Sequence, residues 1–262
     1  MAFELVGGRV KFFRSTFIGC PHGFSTRLGG VSVLPHTAEL NLAFGRGDER
    51  ETVLENLGLF AREVGIDPRS VVSRHQVHSA DVVYVDESDA GEGYYIPTEL
   101  ECDGYVADKP GVALGIKSAD CVPILFHDPV KKVIGAVHAG WRGTAAGIAR
   151  VCVEKLRALG SEPKNIRAAI GAAINFCCYE VGEDFYESVK ALDPVRAERF
   201  IREKDGRLHA DIVGMNADIL RAAGVTEIDV SPHCTCHEPE LFYSHRASKG
   251  LRGTMLSVIA LV

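Results

Sequence analysis

Apolar residues never run long enough in this chain to cross a bilayer. No stretch reaches the roughly 18 residues that a spanning helix needs, so no membrane partner is expected. Blocks of lysine and arginine are missing too, and the formal net charge of −6 excludes a nucleic-acid binder that works by bulk electrostatics. Repeats, low-complexity tracts and linkers are absent, so 1–262 reads as a single domain with ample chain to bury a core. The opening MAFELVGGRVKFF has no basic end followed by a long apolar run, and the expectation is a cytoplasmic protein without a secretion signal. In that compartment the eight cysteines read as reduced thiols and ligands, not as a disulfide framework. Apolar residues at 46% and charged residues at 24% exclude a disordered chain.

What is present alternates between strand-like and helical patterns. Phe3 to Val6 and Val10 to Phe13 flank Gly7-Gly8 as a first hairpin. Asp48 with Glu51 has the look of a capping box opening a helix that Gly65 ends. Val71 to Ser73, Asp81 to Val85, Tyr105 to Ala107 and Val112 to Ile116 are strand-length runs. With the apolar pair Val122–Phe126 and Val133–Val137, the last two form a sheet that is covered on both faces. A helix starts near Thr144 with Ile148, Val151, Cys152, Leu156 and Leu159 inward, so Cys152 is core. Ile166 to Ile170 is a further strand. A helix from Phe185 breaks at Asp193-Pro194, another spans Asp211 to Ala223, and Val225–Val230 and Met255–Val262 are late strands. One α/β-type domain accounts for the pattern.

The chemistry gathers between Lys117 and Thr144. If Pro129 takes the second place of a turn from Asp128 to Lys131, cross-strand partners have numbers summing to 259, and Cys121 faces His138. Such a pair holds its Cβ atoms about 5 Å apart, a separation that suits two ligands of one metal. His78 is the best third ligand. It lies three residues from His75 in an extended segment, so the two point to opposite faces. Three protein ligands plus water is the pattern of a catalytic zinc, although thiolate with imidazole also tolerates copper. The corner Ala139 to Thr144 adds glycines, helix-start N–H groups and Arg142, which together suit phosphate or carboxylate; the bland alternative is a tight turn with a surface arginine. Trp141 is free to pack in the core or to stack on a base. His233-Cys234-Thr235-Cys236-His237 lacks zinc-ribbon spacing, so no second structural metal is expected. Cys177-Cys178 reads as packing, with a nucleophilic thiol as the alternative.

CDGYVADKPGVALGIKSADCVPILFHDPVKKVIGAVHAGWRGT resembles the purine nucleoside phosphorylase family, also called the laccase-domain or polyphenol oxidase family. FSTRLGGVS with Asn41-Leu42, RHQVHSADVVYV, CCYEV and CTCHEPELFYSHR extend the likeness over nearly the whole chain. The resemblance implies an α/β (α+β) sandwich, with a mixed β-sheet core and flanking helices. It also implies a zinc enzyme that phosphorolyses adenosine, inosine, guanosine and methylthioadenosine and deaminates adenosine. The family's metal ligands fall on His78, Cys121 and His138, the three that spacing selects. On this reading Arg142 and the turn from Gly140 through Gly143 hold phosphate, with Arg27 assisting. Glu180, Asp120 and His75 are candidates for proton transfer or for holding a ligand. Expected partners are a purine nucleoside and phosphate. Two rivals accompany the family: a copper polyphenol oxidase and a peptidoglycan-precursor quality-control factor. The absence of any His-x-His pair weighs against the first. The chain departs from the family pattern at Gly171-Ala172, at Ala247-Ser248 after Arg246, and at Gly253-Thr254 with Arg252 displaced, all positions expected on the pocket rim.

Overall fold

The computed structural model describes residues 3–262. In chain order the first strands are β1 (Phe3–Val6), β2 (Phe12–Ser15), β3 (His22–Ser25), β4 (Val71–Val72), β5 (Val82–Tyr84), β6 (Gly104–Ala107) and β7 (Ala113–Ser118). They continue with β8 (Val122–Asp128), β9 (Val133–Ala139), β10 (Arg167–Ile170), β11 (Ile201–Lys204), β12 (Arg207–Ala210), β13 (Glu227–Val230) and β14 (Met255–Ala260). The helices are α1 (Arg50–Val64), α2 (Trp141–Ala145), α3 (Ile148–Ala158), α4 (Glu183–Leu192), α5 (Pro194–Phe200) and α6 (Ile212–Ala222). Two six-stranded sheets, ordered β1-β2-β3-β14-β7-β4 and β13-β10-β8-β9-β6-β5, stack face to face, and β11–β12 form a separate hairpin. Both large sheets are mixed, so the expected sandwich class holds.

Alternation along the strands builds the layers. In β14, Leu256, Val258 and Ala260 pack with Leu57 and Phe60 of α1, while Met255 and Ile259 point into the layer between the sheets. In β9, Val133, Val137 and Ala139 pack against α3 and α6 residues, and Ile134 and Ala136 enter the inter-sheet layer. His138 shares the parity of Ile134 and Ala136, and Cys121 shares that of Leu125. Both therefore project to the inter-sheet side at the sheet's end.

Several expectations change in detail. Cross-strand partners of β8 and β9 sum to 261, not 259, as in Pro123 opposite His138. The loop is longer by two residues, with the Asp128 carboxylate accepting from Val130 and Lys131 N–H and Lys132 left-handed at φ 56°. A shift of two preserves face, so Cys121 is diagonal to His138 and still on its side. Asp48 does not cap α1; the cap position is Glu49, and Asp48 instead accepts from Ser32, Thr37 and Asn41. The helix expected from Thr144 is two helices, parted at Gly147 with φ 79°. β7 does not join β6 and β8–β9; it pairs with β14 and β4 in the other sheet. Long-range pairing of this kind leaves no local signal. No helix is long and apolar enough to cross a membrane among the described residues.

Candidate metal centre

His78, Cys121 and His138 bring their ligand atoms within 4.8 Å of one another. Each comes from a different segment: the turn before β5, the step into β8, and the end of β9. Cys121 Sγ lies 3.8 Å from His78 Nε2, and the two imidazoles meet edge to face at 4.8 Å between centroids.

Asp103 organises this set. Its buried carboxylate sits 2.8 Å from His138 Nδ1 and accepts from the backbone N–H of Val77, His78 and Ser79 and from the Ser79 hydroxyl. The same residue's carbonyl accepts from His138 N–H. Fixing Nδ1 leaves Nε2 of His138 free to act as a ligand, the arrangement in which a carboxylate orients a metal-bound histidine. Burial pushes the Asp103 pKa up, but the hydrogen bonds from His138 and Ser79 outweigh it and hold the group below its usual range. His78 is left-handed at φ 63°, a conformation costing a non-glycine residue about 1 kcal/mol or more. The Asp103 bond to its N–H is part of what holds it there. Burial also raises the Cys121 thiol, yet the neighbouring His138 and His78 overcome this and bring it down to about 6, while His138 is shifted up. Thiolate is the metal-binding form. Donor type, convergence and orientation all fit a zinc-class ion.

Gly140 and Gly143 have a steric role beside the ligand turn. A Cβ on Gly140 would lie 2.5 Å from His78 Cδ2, and one on Gly143 would lie 2.6 Å from the Ser79 carbonyl. Both glycines let the α2 corner close against the ligand turn, and α2 itself is only five residues long. Arg27 is also engaged elsewhere. It donates to the Ala38 and Pro239 carbonyls and lies 4.7 Å over the Tyr243 ring.

Two cavities meet at the centre. The larger, about 510 Å³, is lined by all three ligands and by Arg46, Lys117 and Arg252. Arg46 Nε and Arg252 Nε are buried without hydrogen-bond partners. Burial lowers the Lys117 pKa to about 8, with the positive charge of Arg46 adding to the effect, and the same two causes lower Arg252. Neighbouring cations with spare donors give this cavity a positively charged wall, the chemistry that suits an anion. Sequence reasoning missed it because positions 46, 117 and 252 share no motif. It missed Asp103 as well, since an aspartate before a strand is common.

The smaller cavity, about 420 Å³, is lined by His78, Cys121, Asp120, Trp141, Arg142, Tyr179 and Arg246 among others. Trp141 packs on Phe185 at 4.9 Å and carries the Arg142 guanidinium at 4.2 Å. Asp120 accepts from the Thr235 hydroxyl at 2.6 Å and from Arg246 N–H at 2.7 Å. Glu180 pairs with Arg207 at the exposed surface and lines a neighbouring cleft with Trp141 and Arg142. His75 lies on the rim of the larger cavity, its Nε2 2.9 Å from the Thr98 carbonyl. Cys177 and Cys178 are not isolated packing residues; Cys234 and His237 converge on them within 4.8 Å.

This geometry is that of a two-sheet α/β protein with a three-donor Cys/His centre between a cation-lined cavity and an aromatic-walled one. Residues 21–262 match the family described as multi-copper polyphenol oxidoreductase laccase, and the chain belongs to that family. A Deinococcus radiodurans protein named purine nucleoside phosphorylase is 38% identical over 96% of this chain and 93% of its own. Bacillus subtilis purine nucleoside phosphorylase YlmD is 36% identical over 91% and 87%. Among solved structures, Bacillus licheniformis YfiH superimposes with a TM-score of 0.91 at 33% identity, covering 99% of both chains. Geobacillus stearothermophilus YlmD gives 0.89 at 35% identity over 99% and 98%.

Proposed function

We propose that this chain is a zinc-dependent purine nucleoside phosphorylase that also deaminates adenosine, acting on adenosine, inosine, guanosine and methylthioadenosine. The observation that carries the reading is the cation wall of Arg46, Lys117 and Arg252 beside the three-donor centre, where Arg46 Nε and Arg252 Nε are buried without a hydrogen-bond partner. The names of the relatives support the phosphorylase part of this reading. His78, Cys121 and His138 hold the ion, with Asp103 setting His138. When bound, zinc supplies hydroxide near neutral pH by lowering the pKa of its water to about 7, the nucleophile that deamination at purine C6 requires.

Phosphorolysis needs phosphate held where an oxygen can bond to C1′ as the C1′–N9 bond breaks. Arg46, Lys117 and Arg252 hold that anion by charge-assisted hydrogen bonds. Trp141 and Tyr179 give the base an aromatic wall to pack against, and Arg142 stabilises the electron pair that leaves with the purine. His75, at the rim, is the accessible proton carrier. Asp120 keeps Cys121 in place through its bonds to Thr235 and Arg246, and Glu180 braces the outer wall through Arg207. The protein works in the cytoplasm, where nucleosides and phosphate are both present.

Incubation with adenosine, with and without phosphate, followed by chromatography tests this. Adenine appearing only with phosphate, and inosine in both tubes, are the expected results, and Cys121→Ala should abolish both. Arg252→Ala should raise the phosphate KM by roughly 10- to 100-fold, the loss of one hydrogen bond to a charged group. Stoichiometric copper with phenol turnover, and no nucleoside product, would sink the reading in favour of polyphenol oxidation.

A further inference from the structure

β10 and β13 are parallel neighbours, with Ile170 opposite Val230. The segments leaving their carboxyl ends therefore emerge side by side, and a bridge between Ala173 and Cys234 continues the pairing beyond the strands. The first segment carries Cys177 and Cys178 and the second carries Cys234 and His237. Cys177 Sγ lies 3.7 Å from Cys178 Sγ, 3.7 Å from Cys234 Sγ and 3.5 Å from His237 Nδ1. A tetrahedral zinc with Zn–S of about 2.3 Å and Zn–N of about 2.0–2.1 Å requires ligand separations of about 3.8 Å for S···S and about 3.6 Å for S···N. The three separations match those edges.

We propose that Cys177, Cys178, Cys234 and His237 form a second, closed zinc site that staples the wall of the smaller cavity. Three thiolates and one imidazole fill a tetrahedron and leave no place for substrate, the composition of a structural centre. A backbone donor and a cation approach the sulfurs. Asn175 N–H points at Cys234 Sγ at 3.5 Å, and Lys204 Nζ donates to the Cys177 carbonyl at 2.8 Å, bringing a positive charge beside the sulfurs. The Glu238 carboxylate fixes the second segment by accepting from Cys234 N–H at 2.9 Å and lying 2.7 Å from His233 Nδ1. A disulfide explains less, since it would use two of the thiols and leave the third and the histidine without a reason to converge.

The staple reaches the catalytic pocket through the residues next to its ligands. Tyr179 follows Cys178 and lines the smaller cavity. Thr235 follows Cys234 and holds Asp120, the neighbour of Cys121. The ion is thus a positioning element, one residue removed from each wall.

Metal analysis of the purified full chain under reducing conditions decides it. The wild type should carry two zinc ions, Cys121→Ala one, and Cys234→Ser one. Cys236→Ser, outside the donor set, should keep two. X-ray absorption of the Cys121→Ala protein should give three sulfur and one nitrogen neighbours at about 2.3 and 2.0–2.1 Å. If Cys234→Ser folds poorly, His237→Ala, at an exposed ligand, should retain the fold and release the second ion to a chelator faster than wild type does. One zinc in the wild type, lost with Cys121→Ala, overturns the proposal. So does a Cys177–Cys178 or Cys177–Cys234 disulfide found by mass spectrometry in protein handled without oxidant. Because the count is made without substrate, it stands apart from whether the enzyme phosphorolyses nucleosides.

Discussion

The two donor sets use the same residue types to opposite ends. His78, Cys121 and His138 stand where two cavities meet, and one of them is set by a buried carboxylate, Asp103. Cys177, Cys178, Cys234 and His237 lie outside both of those cavities, and their segments are fixed by backbone bonds together with Lys204 and Glu238, neither of which bonds a donor side chain. Three donors with access leave a coordination position for chemistry; four donors without it leave none. The difference teaches that cavity access and donor number, not residue type, separate a reactive centre from a staple.

Chelation should break the comparison in the most visible way. Stripping the three-donor centre should abolish both activities while the chain stays folded, because strands and a buried aspartate hold those ligands without the ion. Stripping the four-donor site should lower Tm, since two loops lose their common anchor. Metal content, activity and a thermal melt, followed together during chelator titration, read the order. A single step in which activity, fold and both ions vanish at once would contradict the division of labour.

Asp103→Asn comes next. An amide keeps the shape but loses the charge that favours His138 as a donor, so affinity at the three-donor centre should fall about 10- to 100-fold. The four-donor site should keep its ion. Competition with a metal-sensitive dye measures both in one sample, and equal weakening of the two would show that Asp103 acts on the fold rather than on His138.

How far these contrasts could be read from the chain depends on sequence distance. Cys121 and His138 flank one hairpin, so their shared face followed from strand parity even though the loop proved two residues longer than a simple turn. A single α/β domain followed from the strand and helix patterns and the sandwich from the family resemblance, but the split of β6 and β7 between sheets did not follow, because nothing local records which strand pairs with which. Asp48 followed by Glu51 looks like a cap until Ser32, Thr37 and Asn41 arrive from the preceding loop and claim the carboxylate. The four-donor set is spread over 177–237 and becomes visible only when β10 and β13 pair. The cation wall spans 46–252 and has no spacing rule at all.

Lys117 gives the three-donor side a pH signature that the staple lacks. Burial and Arg46 lower its pKa to about 8, so it is a cation below that pH and neutral above it. Phosphate binding to the free enzyme should therefore weaken as pH rises through about 8, with kcat/KM for phosphate falling by roughly tenfold, the worth of one charge-assisted hydrogen bond. Lys117→Met should start low and lose this limb. Persistence of the limb in the variant would assign it to another group.

The smallest effect concerns Arg27, the cation that sequence reasoning placed at phosphate. Its guanidinium donates through Nε and Nη2 to the Ala38 carbonyl and through Nη1 to Pro239, and its plane lies on Tyr243. Lysine keeps the charge but cannot reproduce that planar fork. Arg27→Lys should cost about 1 kcal/mol, the net worth of a typical intramolecular hydrogen bond, and lower Tm by a few degrees. The phosphate KM should stay unchanged, in contrast to Arg252→Ala. A raised KM with an unmoved melting point would return Arg27 to the binding site, and the cation wall would then extend to the Tyr243 side of the molecule.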